Sequence, residues 1–214
     1  MRTPRNSRRG QPNSSSLKRR APTREPRARI LIVCEGRKTE PTYFRVLCKH
    51  RSLSAAEVSV CGEECGSHPT FVVECARKRK KQAVENKEPY DRVWCVFDRD
   101  DHAKIHEALT RAKHLGINVA FSNPCFELWF LLHFDYSSGH VGRRQAQSRL
   151  KQYINDYRKS MPVYEMLLPG QQTATDHAHR LRSYHDGVPN PPGYNPSTTV
   201  DQLVTELNAL AQRQ

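Results

Sequence analysis

The stretch Arg29-Ile-Leu-Ile-Val-Cys34-Glu35-Gly36 decides the fold. A short, β-branched apolar run with no polar alternation marks a strand buried on both faces, as found inside a parallel sheet. Glu35-Gly36 makes the turn. Thr39-Glu40-Pro41 then opens an amphipathic helix with Tyr43, Phe44, Val46 and Leu47 as its apolar contacts. The same alternation continues downstream. Glu57-Val-Ser-Val-Cys61 predicts a second strand, and residues 70–86 a helix with Phe71, Val72 and Cys75 at helical spacing and a basic run at 77–81. Asp91-Arg-Val-Trp-Cys-Val-Phe97 predicts a third strand that ends in Asp98-Arg-Asp-Asp-His102. A helix over 103–115, closed by Gly116, leads to a fourth strand at Ile117-Asn-Val-Ala-Phe121. Alternating strands and helices predict an α/β fold with a central parallel sheet flanked by helices.

From Pro124 the pattern changes. Phe126–Phe134 is apolar nearly all round and reads as a buried helix. Residues 143–159, 161–168 and 171–185 read as helical, and 187–197 as a Pro/Gly/Asn loop. A last helix over 198–212 carries Val200, Leu203, Val204, Leu207 and Leu210 on one face, with Ser197 as its N-cap. The expected organisation is a basic disordered leader (1–28), an α/β domain (29–125) and a helical C-terminal region (126–214) packed on it.

The chain has 214 residues, 36% of them hydrophobic, and a formal net charge of +13. Residues 1–29 hold ten Lys and Arg against one acid, Glu25, so most of the excess lies in the leader. Such a tail would hold phosphates without sequence preference, or serve only as a solubilising leader. No run approaches the ~18 apolar residues of a membrane span, and the N-terminus lacks a secretory apolar core. Membrane and secreted classes are therefore excluded by expectation, and a cytoplasmic protein with reduced thiols is expected. Cys61, Cys65 and His68 offer three zinc ligands without an obvious fourth, which argues against a zinc site.

Chemistry points to the strand ends. Glu35 follows the first strand, and Asp98 and Asp100 follow the third. In a parallel sheet, ligands bind at the carboxyl ends of the strands. Residues i and i+2 of an extended segment point the same way, so Asp98 and Asp100 can share one cation. With strands one and three adjacent, Glu35 joins them in a set of hard oxygen ligands suited to Mg²⁺ or Mn²⁺. Taken singly, each acid has a plainer reading as a turn residue. Glu127, early in a buried helix, needs a partner or a cation and is a further candidate ligand. Glu40 has a capping explanation at its helix start and ranks lower. Arg37 and Lys38 could neutralise a phosphate. His102 and Asn123 are candidate substrate contacts, against simpler readings as a helix-start and a turn residue. Asp101 reads as a turn residue, and Phe126, Trp129 and Phe130 as core.

The stretch Ile-Val-Cys-Glu35-Gly-x-x-Thr39-Glu40, followed by Val-Phe-Asp98-x-Asp100-x-His102, resembles the Toprim domain. More narrowly, Ser122-Asn-Pro-Cys-Phe-Glu-x-Trp-x-Leu-Leu-His-Phe134 and Asn195-Pro-Ser-Thr-Thr-Val200 resemble the RloB-like branch of that group. The resemblance runs from about residue 29 to the C-terminus. It implies the parallel-sheet fold shared with topoisomerases, primases and overcoming-lysogeny nucleases, with Glu35 as general acid/base and Asp98 and Asp100 holding a divalent cation. It also implies association with bacterial restriction and phage-defence loci, often beside an ATPase.

The expected function is a Mg²⁺- or Mn²⁺-dependent nuclease acting on DNA or RNA. The alternative is a non-catalytic nucleic-acid-binding subunit of an ATPase-containing complex. Primer synthesis or strand passage ranks last, because neither has room for its further domains in this chain. Homodimerisation is left open by the sequence.

Overall fold

The computed structural model describes residues 28–55, 57–62, 66, 68–99, 104–184 and 194–212. The leader expected to be disordered lies outside these, as do Cys65, Asp100, Asp101, His102 and most of the expected loop at 187–197.

The elements begin with β1 (Ile30–Cys34), α1 (Thr39–His50), β2 (Val58–Cys61), α2 (Pro69–Glu85), β3 (Arg92–Asp98), α3 (Ile105–His114) and β4 (Asn118–Asn123). There follow α4 (Glu127–Leu131), α5 (Arg143–Leu150), α6 (Tyr164–Leu167), α7 (Gln171–Tyr184), β5 (Ser197–Thr198) and α8 (Val200–Gln212). They form one five-stranded sheet in the order β2-β1-β3-β4-β5. The first four strands are parallel, and β5 joins antiparallel to β4. Strands one and three are neighbours, as the convergence of Glu35 with Asp98 requires. β1 is buried along its whole length, which explains why its sequence shows no polar alternation.

Two apolar layers cover the sheet. On one face, Leu31, Val33, Cys95 and Phe97 pack with Val72, Val73 and Ala76 of α2 and with Ile105, Ala108 and Ala112 of α3. On the other, Ile30, Ile32, Cys34, Trp94 and Val96 pack with α1 and with Trp129, Phe130, Leu181, Leu203 and Leu207. This second layer is one continuous core from β1 to α8.

Several local expectations need correction. Phe71 is 64% exposed, and α2 turns Val72, Val73 and Ala76 inward instead. Most of the basic run at 77–81 is engaged locally. Arg77 and Arg111 clamp Glu74, Lys81 pairs with Glu85, and Lys80 Nζ donates to the Leu115 carbonyl at the end of α3. Cys75 is disulfide-bonded, an exception to reduced thiols throughout, whereas Cys34, Cys48, Cys61, Cys95 and Cys125 are free. The helix expected over 143–159 stops at Leu150, and the one over 126–134 spans only Glu127–Leu131. Ser197 belongs to β5 and does not cap α8. The Thr198 hydroxyl accepts from the Val200 N–H instead.

The Asn195-to-Val200 segment is a clasp. Asn195 Nδ2 donates to the Val141 carbonyl while its Oδ1 accepts from the Val141 N–H. The Thr199 hydroxyl accepts from Phe121 N–H and donates to the Val119 carbonyl, covering the edge of β4. Arg182 donates to both oxygens of buried Asp201 and to the Thr198 carbonyl. At the end of α3, Gly116 takes φ +59°, with Gly116 N–H on Lys113 and Ile117 N–H on Ala112. This is the left-handed helix stop expected of a glycine there.

Candidate metal centre

The carboxyl ends of β1 and β3 open into a cavity of about 440 Å³, lined by residues of the β1–α1 loop, β3, α4, α5 and the segment after α5. Four carboxylates line it: Glu35, Glu40, Asp98 and Glu127. Four cations line it as well: Arg37, Lys38, Arg143 and Lys159. All four acids are buried, between 3% and 9% exposed. Buried carboxylates in such proximity are costly unless paired, protonated or bound to a cation.

Glu35 is placed by the sheet. Its N–H continues the ladder by donating to the Val96 carbonyl, and its carboxylate accepts from the Asp98 N–H at 3.2 Å. Asp98 ends β3 opposite Ser122 of β4. Its Oδ2 lies 3.7 Å from Arg143 Nη2, and among the described residues its buried Oδ1 has no hydrogen-bond partner. Burial first, then the charges of Glu40 and Glu127, hold the Asp98 carboxyl well above the usual range, opposed by the Phe126 amide and Arg143.

Glu40, ranked below the other acids on its helix-start position, also lines the cavity. Its carboxylate accepts from its own backbone N–H in the first turn of α1, as a helix-start acid does. It also folds back over Gly36, where any added Cβ would overlap Glu40 Oε2. Burial, with Glu127 and Glu35 nearby, pushes its carboxyl up to about 7, while Lys159 pulls it down. The signal that could have found it was the pairing of Glu35-Gly36 with a second acid at the start of α1. Glu127 reaches the cavity and accepts from Gln147 Nε2 at 2.9 Å. The Tyr157 hydroxyl and Cys125 thiol also lie against it.

Arg37 and Lys38 line the cavity as expected by position. Asn123 is buried near it, but its Nδ2 donates to the Tyr194 carbonyl and its Oδ1 accepts from Asn195, the arrangement of a turn residue. Arg143 and Lys159 were not singled out in the sequence, because their segments carry no motif. His68 accepts from Thr70 N–H as the N-cap of α2. Phe126, Trp129 and Phe130 are core, with Trp129 Nε1 donating to Tyr43.

The donor set is all carboxylate oxygen and includes one buried oxygen, Asp98 Oδ1, without a partner among the described residues. That chemistry fits a hard divalent cation such as Mg²⁺ and does not suit zinc. Among the described residues, no three His, Cys, Asp or Glu side chains form a ready ligand cluster. Asp100, the second acid of the Asp98-x-Asp100 pair, lies outside them.

The family model described as RloB-like protein matches residues 30–207. The chain belongs to the RloB-like family. RloB-like proteins are associated with restriction and defence systems. The matched span takes in every carboxylate and cation of the cavity, and also the Asn195-to-Val200 clasp. No curated protein and no solved structure matches this RloB-like chain. Among its described residues, no helix is long and apolar enough to cross a membrane.

Proposed function

We propose that this RloB-like protein is a Mg²⁺- or Mn²⁺-dependent nuclease that hydrolyses phosphodiester bonds of DNA or RNA in a defence system. The observation that carries the reading is the meeting of Glu35, Glu40, Asp98 and Glu127 in one cation-rimmed cavity at the carboxyl end of the sheet. Glu35, Asp98 and Asp100 would hold the ion, with Glu127 as a further ligand. A divalent ion there would polarise the phosphoryl oxygen and make water more acidic.

The chain's own side chains do the rest. Glu35 accepts the proton of the attacking water, a role that suits a carboxylate fixed by a backbone N–H. Arg37 and Lys38 offset the charge of the phosphate. Glu40, poised near neutrality, holds or releases a proton within the same cavity. His102 would serve as a further phosphate donor beside the Asp98-x-Asp100 segment.

The second reading is a nucleic-acid-binding subunit working with an ATPase, in a cytoplasmic complex. It is favoured by the four cations that line the cavity, which would hold a phosphate whether or not it is cut. Labelled DNA and RNA incubated with Mg²⁺, Mn²⁺ or EDTA separate the two. Metal-dependent cutting by wild type, lost in Asp98→Ala/Asp100→Ala, establishes the nuclease. Binding without cutting, with and without the partner ATPase, establishes the subunit.

A further inference from the structure

The cavity's charge arrangement points beyond the acids to two residues of the C-terminal region. Four buried carboxylates would repel a phosphodiester. One divalent ion offsets only part of that charge, so fixed cations are needed where the strand enters. Arg37 and Lys38 sit on the turn after β1 and are exposed. Arg143 and Lys159 reach the same cavity from the other half of the chain.

The backbone that leads into Arg143 is anchored. Arg143 opens α5, two residues after Val141, whose N–H and carbonyl are both held by Asn195. Its guanidinium lies against the cavity, with Nη2 at 3.7 Å from Asp98 Oδ2. A planar fork of N–H donors thereby lies beside the acid expected to bear the metal, and guanidinium geometry matches phosphate. Lys159 is exposed and forms no salt bridge among the described residues. It lies two residues after buried Tyr157, which packs against Phe130 and faces Glu127. Lys159 lies in the field of Glu40, and its exposed ammonium at the lip of the acidic cavity is placed to meet an entering phosphate.

We propose that Arg143 and Lys159 bind backbone phosphates of the substrate strand at this cavity. The assignment rests on the nuclease reading above for its substrate class, a polynucleotide. The two cations and the four acids then form one site built from both halves of the chain.

The test is binding of a short fluorescein-labelled single-stranded DNA to the full chain in Ca²⁺, followed by anisotropy across a KCl series. The strand is recovered afterwards to check that it is intact. For a single strand, removing one cation that neutralises a phosphate lowers the slope of log K against log[salt] by about 0.7. Arg143→Gln and Lys159→Gln are each expected to lower it by that amount, and Arg143→Lys and Lys159→Arg to restore it. The charge-conserving variants guard against misfolding, since Arg143→Gln also removes a cation from beside Asp98. An unchanged slope in either Gln variant, with its melting temperature retained, overturns the assignment for that residue. The outcome is separable from the nuclease reading. Slopes that fall while no metal supports cutting retain the two cations and remove hydrolysis. Metal-dependent cutting with unchanged slopes does the reverse.

Discussion

The Asp98 N–H donates to the Glu35 carboxylate across adjacent parallel strands, at 3.2 Å. The two acids are therefore spaced by the sheet, whose ladder also pairs Cys34 with Val96, and not by a mobile loop. Glu35→Gln keeps an acceptor for that N–H and removes only the charge and basicity. It is expected to lower cleavage by roughly 10²–10⁴-fold, with a melting temperature near wild type. Single-turnover cleavage and a thermal melt check the two halves of this statement.

Gly36→Ala separates site geometry from stability. The added Cβ would overlap Glu40 Oε2, so the carboxylate must swing away. Because it is the end of a flexible side chain, the cost to folding is about 1 kcal/mol. Activity and Mn²⁺ affinity are expected to fall much further than stability does. Titration calorimetry with Mn²⁺, beside a denaturant melt, reads both.

Acid titration follows from Glu40. Its folded carboxyl stands near 7 against an ordinary value of 4.5, so the folded chain holds this proton more tightly than the unfolded chain. Its stabilising contribution is full below about pH 4.5 and is lost as pH rises through about 7. The size is on the order of 3 kcal/mol at most. Asp98, raised by burial first and then by the charges of Glu40 and Glu127, acts in the same direction. Without divalent ions, the melting temperature is expected to drop between about pH 5 and pH 8, and Glu40→Gln to flatten that drop. Added Mg²⁺ should raise the melting temperature most at the alkaline end, because it binds the folded state alone. A wild-type curve no steeper than that of Glu40→Gln would refute the account.

Arg182→Ala tests the clasp. Asp201 is 4% exposed and takes two bonds from Arg182, at 2.6 and 2.8 Å. Deleting the arginine strands a buried charge and is expected to cost roughly 3–5 kcal/mol, read from chemical denaturation. Arg182→Ala/Asp201→Ala should recover part of that loss.

The strands were legible because they are written as unbroken apolar runs, but their order in the sheet, with Ile30–Cys34 beside Arg92–Asp98, came from the structure. Glu35 and Asp98 were legible for the same reason, as acids at the ends of such runs. The place of Glu40 in the cavity was not, since a glutamate in a first helical turn ordinarily serves only the helix, and its closeness to Gly36, Glu35 and Glu127 is a product of tertiary packing. Arg143 and Lys159 were not either. They are two among 35 lysines and arginines, and nothing local distinguishes a cation brought to a cavity by long-range packing. β5 escaped notice because two residues are too few to show a period, and the Thr199 hydroxyl that seals β4 acts through tertiary packing alone.

The hold of Asn195 on Val141 has a bearing on synthesis. Glu35 and Asp98 leave the ribosome early, but the wall that carries Arg143 is fastened by a residue made more than fifty positions later. A nascent chain therefore carries its acids well before it can close the cavity around them. The wall that carries Arg143 is fastened only once the Asn195 segment has folded back.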